Sequence, residues 1–409
     1  MRDKQLLLSL YLPAIAAGLG QGITLPVIPV LAQTFGVGVG LASLIFIIHM
    51  VGAAAATMPT GFLLDKIGRR KLLLAGPIIS ALASFAVFFA GSFPELLVYR
   101  FIGGAGQQMW MLSRLTVIAD TGGAYQRGQQ ITSMFGAQRV GMLVGPLIGG
   151  FAGAAWGPEV PFVIHGAVLL LATIPSFYVI RETLPPPRPA QAGPQEPGTF
   201  RMLLKYPIPV VFLVQLLANT ARGGIEGGGI LFLYAAYAYG TGPATMGVLS
   251  SVMAGVGIPI TLAAGRVMDR KGRKWTIVPG SLFLSVAMVF MAATSLASLP
   301  FTAFVAGFAA LHLAGSAMSG SMQTLGTDIA PAHARGVFFG VGRLVGQTGR
   351  VASPVSFGLL AELASFGAAF VFLGGMSVAA GLVMLVFVRE TLGTGAADEA
   401  TPKAGHRTS

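Results

Sequence analysis

The 409-residue chain contains no cysteine, and only 10% of its residues are charged. The first absence excludes disulfides and thiolate metal sites and leaves the redox compartment open. The second separates the chain from soluble globular domains, where charged residues make up about 25%. Also missing is any G-x-x-x-x-G-K-[ST] stretch that would cradle nucleotide phosphates. H-E-x-x-H and G-x-S-x-G are absent as well, so an ATP-driven pump and a membrane hydrolase both lack their chemistry. The chain reads as a non-enzyme with no cofactor and no metal site. Strand-like alternation is absent too, which argues against an outer-membrane barrel.

What is present is apolar. Hydrophobic residues make up 54% of the chain, and the mean hydropathy is +0.76. Long apolar runs recur from end to end, the pattern of a polytopic helical membrane protein. The 57 glycines suit membrane helices packed at close range. Breaks at Gly, Pro and charge clusters mark twelve candidate spans. They lie near 6–31, 41–63, 72–91, 94–118, 130–153, 160–180, 207–236, 243–264, 275–296, 299–323, 337–360 and 366–388. The first run lacks a cleavage site and reads as a membrane helix rather than a removable signal.

A net charge of +12 raises the question of nucleic acid. A topogenic role explains it better: basic residues orient a membrane protein, so a lipid bilayer and no nucleic acid is expected. With a cytoplasmic N-terminus, twelve spans put 20 of the 26 Lys and Arg on the cytoplasmic side. The other six are arginines within spans, and the outer loops hold none. A multi-pass protein of the cell (inner) membrane with both termini cytoplasmic is therefore expected.

One long polar break, "RETLPPPRPAQAGPQEPGTFR" at 181–201, reads as an extended cytoplasmic linker. It divides the chain into a six-helix bundle (1–184), a linker (185–205), a second six-helix bundle (206–392) and a tail (393–409). The bundles are repeats. "RETL" occurs at 181 and again at 389, and at the same offset Asp120 matches Asp328, Arg127 matches Arg335 and Pro146 matches Pro354. Same-order repeats imply a pseudo-two-fold axis along the membrane normal, with the site at midplane between the halves.

The passage "GFLLDKIGRRK" at 61–71 ends the second apolar run with five charges in seven residues, and "GRVMDRKGRKW" at 265–275 repeats it. The first copy, through Gly61, Leu63, Asp65, Gly68, Arg69 and Arg70, resembles the signature that follows the second helix of the major facilitator superfamily. The second copy keeps Gly265, Asp269, Gly272, Arg273 and Lys274. "YRFIGGAG" at 99–106 is similar to the family's fourth-helix motif, with Arg100 at its arginine. "GMLVGPLIGG" at 141–150, with Gly141, Gly145, Pro146, Gly149 and Gly150, resembles the fifth-helix motif of drug–proton antiporters. The resemblance implies an all-α membrane protein with twelve transmembrane helices in two pseudo-symmetric six-helix bundles. It implies that Asp65 faces the N-terminal end of the eleventh helix across the halves, that Arg69 pairs with an acid such as Asp120, and that these contacts latch one side shut. Asp269 would be the less complete twin. Arg100 would act in proton coupling or gating; alternatively it bonds Glu95 or nearby carbonyls.

Within the spans, polar residues fall into stripes. Gly141, Gly145 and Gly149 form one smooth helix face, suited to close packing and to a leak-tight seam between halves. Arg100, Gln107 and Arg114 recur every seventh residue, and Arg343, Gln347 and Arg350 form a second stripe at i, i+4 and i+7. Arg114 lies six residues before Asp120, roughly 9 Å from the helix end, within reach of snorkelling, as does Arg343. Arg139 and Arg350 lie deeper and are the better candidates for a substrate cavity, with Gln107, Asn219, Gln323 and Gln347. Gln215, Asn219, Arg222 and Glu226 share one face of the seventh helix. Glu226, the one acid inside a span, is either a proton carrier tuned by Arg222 or half of a static pair. "GGIEGGG" around it predicts a loose or broken helix. His312 is either a proton relay or a plain hydrogen-bonding residue, and the same holds for His49.

These features predict a secondary active transporter, acting as a monomer, that exports small drug-like organic compounds in exchange for protons. The alternative is a proton symporter or uniporter of an organic anion, suggested by six arginines in spans against one acid. A transporter-like receptor or scaffold that moves nothing is the third.

Overall fold

The computed structural model describes residues 11–121, 124–179, 203–226, 229–330, 335–388 and 390. Every regular element among them is helical. The N-terminal half holds six spans. The first is α1 (Leu12–Thr24), a 3-10 turn (Leu25–Val27) and α2 (Ile28–Thr34) in series. Then follow α3 (Val39–Ile67), α4 (Arg69–Phe88), α5 (Phe93–Thr121), α6 (Ala124–Trp156) and α7 (Val160–Val179). The C-terminal half repeats the plan. Its first span is α8 (Ile208–Glu226) with α9 (Gly229–Tyr239), followed by α10 (Pro243–Lys271) and α11 (Lys274–Leu296). The tenth span is α12 (Phe301–Ala317) with α13 (Ser321–Ile329), and α14 (Arg335–Leu363) and α15 (Phe366–Phe387) complete the twelve.

The helices overrun the apolar runs that marked them. The second span extends from 41–63 in the apolar pattern to Val39–Ile67 in the fold. At 1.5 Å per residue, 29 residues reach about 44 Å, more than a hydrocarbon core of about 30 Å. The ends therefore project into the polar layers, and the basic knots are helix ends rather than loops. Gly68 and Gly272 make the turn possible in each knot. Their φ angles of 100° and 105° lie in a region that side chains avoid, and each glycine stands between two helices of its half.

Among the described residues, ten of the spans are long and apolar enough to cross a membrane by length and composition alone. The two spans that fall short are α5 and α14, the helices that carry the Arg–Gln stripes. They can afford few apolar residues because neighbours shield them: α3 and α4 both pack on α5, while α3, α8 and α15 pack on α14. Polar residues inside a membrane persist where protein rather than lipid faces them.

The halves meet most extensively through α3 with α14 and α6 with α10, and α9 also packs on α2 and α3. Residues 227–228 of the seventh span, on which the expected loose or broken stretch falls, lie outside the described residues, as do linker residues 185–202 and the tail 393–409. The tenth span breaks where Gly320 takes φ 82°, just before α13.

Candidate functional site

The end of the molecule that holds the basic knots is here called the basic end, and the opposite one the far end. At the basic end, each half ties its own knot. Arg69 Nε donates to Asp120 Oδ2 at 3.0 Å, Nη1 donates to the Leu64 carbonyl at 2.8 Å, and Nη2 lies 3.2 Å from Asp65 Oδ1. Arg70 donates to the Phe177 carbonyl at 3.0 Å and stands over the Phe177 ring. In the second half, Arg273 grips Asp328 through Nε at 2.8 Å and Nη2 at 3.4 Å. Glu390, from the second "RETL", accepts from the backbone N–H groups of Arg273 and Lys274 at 2.9 and 3.0 Å, capping α11. A carboxylate at that helix N-terminus is favoured by the free N–H groups and the macrodipole. Asp269 is exposed.

Asp65 does not reach α14 in this conformation. Its side chain is 80% exposed, and its ion-pair partner, Arg69, belongs to the same half. Asp65, Gly61, Thr57, Met58 and Phe62 line an open groove on α3 of about 320 Å³. A Cβ placed on Gly61 of α3, or on Gly340 of α14, would meet no atom within 4 Å.

The far end is closed. Gly40 N–H donates to Glu362 Oε2 at 3.0 Å, and Gln33 Nε2 donates to the Ala236 carbonyl at 3.3 Å. Tyr237 Oη donates to the Val37 carbonyl at 2.8 Å. A Cβ on Gly247 of α10 would overlap the Pro146 carbonyl of α6, and one on Gly150 would overlap that of Pro243.

The fifth-helix motif therefore divides its labour differently from the smooth face read in sequence. Gly141, Gly145 and Gly149 do not form the seam between halves. A Cβ on any of them would overlap the α1 backbone at Ile15, Leu19 or Ile23, within their own half. The seam is made one position around the helix, by Pro146 and Gly150. α6 runs unbroken through Pro146.

In the α5 stripe Arg100 and Arg114 are buried and Gln107 is half-buried. Arg100 lies over the Phe162 ring at 5.8 Å, and its Nε approaches the Ile45 carbonyl at 3.5 Å. Glu95 instead accepts from Gly91 N–H at 3.0 Å, so it is not the partner of Arg100. His49 bridges along the stripe: Nδ1 lies 3.2 Å from the Arg100 carbonyl and Nε2 lies 2.7 Å from Gln107 Oε1. Arg114 does not snorkel. It is 2% exposed, its guanidinium stands 4.4 Å from the Trp110 ring centroid, and its Nε and Nη1 have no hydrogen-bond partner among the described residues. The residue count placed it near enough to the polar layer, but its side chain folds back over Trp110. Arg343 is exposed.

Of the deeper candidates, Arg139 crosses the boundary: Nη2 donates to Ser319 Oγ at 3.0 Å. Arg350 is half-buried, with its Nε unpartnered among the described residues. Asn219 spends its amide on the Gln215 carbonyl at 2.7 Å, and Gln215 donates to the Gly342 carbonyl at 2.9 Å. The Gln215 bond fastens α8 to α14, whereas the Asn219 bond turns back on its own helix. Arg222 is buried, with Nη1 3.5 Å from the Met318 carbonyl, while the side chain of Glu226 lies outside the described residues. His312 Nδ1 lies 3.0 Å from the Phe308 carbonyl one turn back, and its ring stacks on Phe308 at 4.2 Å. Gln323 is exposed and Gln347 half-buried. Sequence reasoning missed Glu362 and the His165 Nδ1 contact to Ser84 Oγ at 2.9 Å. For Glu362 the available signal was an acid at a helix C-terminus, where the macrodipole disfavours one.

Comparison with known proteins agrees with this architecture. The chain is similar to the D-xylose-proton symporter in its crystal structure, with a TM-score of 0.75 at 18% identity over 93% of this chain and 98% of that one. It is also similar to a bacterial homolog of the human lysosomal transporter Spinster, solved inward-facing and unoccupied, with a TM-score of 0.70 at 16% identity over 94% of this chain and 96% of that one. At such identities the likeness concerns the fold. In sequence it is 23% identical to Multidrug resistance protein 2 of Bacillus subtilis (strain 168), over 85% of this chain and 86% of that protein. It is 28% identical to Quinolone resistance protein NorA of Staphylococcus aureus, over 42% of this chain and 44% of that protein. The family model described as Major Facilitator Superfamily matches residues 10–354 and again 211–407. With twelve helices in two pseudo-symmetric bundles and a family match spanning nearly the whole sequence, the chain belongs to the Major Facilitator Superfamily of membrane transporters.

Proposed function

We propose that this protein exports small, drug-like organic compounds in exchange for protons, by alternating access between its two halves. The observation that carries the reading is the contrast between its ends. The far end is sealed by backbone-close contacts, while Asp65 stands exposed at the basic end. The basic clusters favour a cytoplasmic basic end, with both termini on that side of the inner membrane. The conformation is then open to the cytoplasm, ready to load an outgoing compound. Two relatives named for drug resistance favour export over uptake.

Under this reading the bundles are 1–184 and 206–392, with a cytoplasmic linker and tail, and the protein works as a monomer. Gly61, Asp65, Gly68, Arg69, Arg70 and Asp120 build the principal gate, with Asp269 and Arg273 in its twin. Pro146 and Gly150 keep the far-end seam tight, and Gly141, Gly145 and Gly149 hold α6 against α1 behind it. Glu226, next to Arg222, carries the proton, and Arg100 and His312 assist. Gln107, Arg139, Asn219, Gln323, Gln347 and Arg350 line the substrate path. A proton gradient suffices as the energy source, since one charge crossing 100 mV is worth roughly 2.3 kcal/mol.

One observation favours a second reading, transport of an organic anion. Arg114 is a buried cation without a hydrogen-bonding acid among the described residues, and Arg139 adds positive charge between the halves. Purified protein in inverted vesicles, with an acid interior, separates the readings. Gradient-driven accumulation of cationic dyes supports drug export. Movement of anions alone supports the second reading. No flux across a broad panel removes both and favours a scaffold.

A further inference from the structure

The two helices that meet at the boundary, α3 and α14, are each 29 residues long. They cross the membrane in opposite directions, so each lays its C-terminal end beside the N-terminal end of the other. A helix C-terminus disfavours a carboxylate and an N-terminus favours one. Yet both helices carry an acid in the last turn, Asp65 in α3 and Glu362 in α14.

At the far end the reason is visible. α3 starts after Gly38, an N-cap residue with no side chain to bind the free N–H groups of the first turn. Glu362 supplies from the other half what Gly38 lacks. Its Oε2 accepts from Gly40 N–H at 3.0 Å. Both carboxylate oxygens stand over Gly38, where a Cβ would come within 2.7 and 2.8 Å of them. The joint is close around it. A Cβ on Gly358 of α14 would overlap the Ser43 side chain, and Tyr237 of α9 donates to the Val37 carbonyl just ahead of α3. At the other end of the same two helices, Asp65 is turned to solvent and Gly61 and Gly340 face open space.

We propose that Glu362 is the far-end latch of the transport cycle, the reciprocal of Asp65. Each carboxylate caps the N-terminus of the other helix, and only one cap is made at a time. Glu362 on Gly38–Gly40 holds the far end closed. When the halves rock, that cap opens to water while Asp65 reaches the start of α14. The reciprocity rests on the reading of Asp65 as a latch; the far-end cap stands on its own contact. Because the two caps trade against each other, neither state is held so firmly that the cycle stalls.

The absence of native cysteine makes the test direct. Cysteines replacing Phe89 and Leu296, exposed positions at the far ends of α4 and α11, carry spin labels in the full-length protein in lipid nanodiscs. Glu362→Gln keeps the size and an acceptor oxygen but removes the charge. It is expected to raise the far-end-open population, read as the longer distance, by about 3- to 10-fold. Gly38→Ala, which crowds the carboxylate off without altering any charge, is expected to shift it in the same direction, and to add nothing in the Glu362→Gln background. Asp65→Asn should shift it the opposite way, and the double variant Asp65→Asn/Glu362→Gln should return near the native distribution. An unchanged distribution in folded Glu362→Gln and Gly38→Ala proteins overturns the far-end latch. A shift in those two with none in Asp65→Asn keeps the far-end latch and removes the reciprocity.

Discussion

Gly61 and Gly145 both belong to motifs, yet they meet opposite surroundings. A Cβ on Gly145 would press into the α1 backbone at Leu19 and Gly22, whereas a Cβ on Gly61 would touch nothing within 4 Å. Gly145 is a glycine because something is against it now. Gly61 sits on the open groove of α3 with Asp65, and the gating reading proposed above would fill that space only when the basic end closes. Under the proposed function the difference separates permanent packing, around α1 and α6, from packing that comes and goes, along α3 and α14. A transporter of this fold needs both: bundles rigid enough to rock, and seams that close without trapping a side chain.

The comparison can be broken by substitution. The largest effect is expected at the permanent site. Gly145→Leu forces a side chain into a backbone contact, and overpacking of this kind costs about 1–3 kcal/mol or more. Little folded protein should be recovered, as size-exclusion chromatography in detergent would report. Next comes the proton carrier. Glu226→Gln should abolish gradient-driven transport yet leave substrate counterflow intact; an unchanged pH dependence of transport would remove Glu226 from that role. Asp65→Asn comes third. It should slow transport by about threefold or more, the weight of a charge on a helix end, with thermal unfolding unaltered. A fully active variant would leave Asp65 no part in gating. Gly61→Ala should have the smallest effect on stability, within about 1 kcal/mol and toward greater stability, because alanine favours the helix and nothing opposes it in this state. Any loss of transport by Gly61→Ala would then be charged to the closed basic end alone.

Much of this was legible in sequence. Apolar runs, the 208-residue repeat and the paired knots specified twelve helices in two halves, including α5 and α14, which hydropathy alone passes over. Periodicity also found the glycine face of α6. It could not say which neighbour that face meets, since period fixes a direction around the helix and not the helix on the other side. Arg114 was misplaced for a related reason: counting residues gives the depth of a Cα, while the long side chain chose the ring of Trp110. The resemblance implied a contact from Asp65 to the eleventh helix that is not made here, where Asp65 is exposed and pairs with Arg69 of its own half. Glu362 was overlooked because acids add little to topology, so an acid near a helix end reads as ordinary polar surface. Its meaning appears only when the N-terminus of α3 is seen beside it.

The central claim is that one end opens as the other closes. Labels at Lys71 and Trp275, exposed at the basic ends of α4 and α11, and labels at Phe89 and Leu296, at the far ends of the same two helices, report on it together. Distance distributions would be recorded for both pairs across a pH series in nanodiscs. Alternating access predicts that the basic-end distance shortens in the same proportion of molecules in which the far-end distance lengthens. Two distances that rise together, or that both stay fixed at every pH, would contradict it.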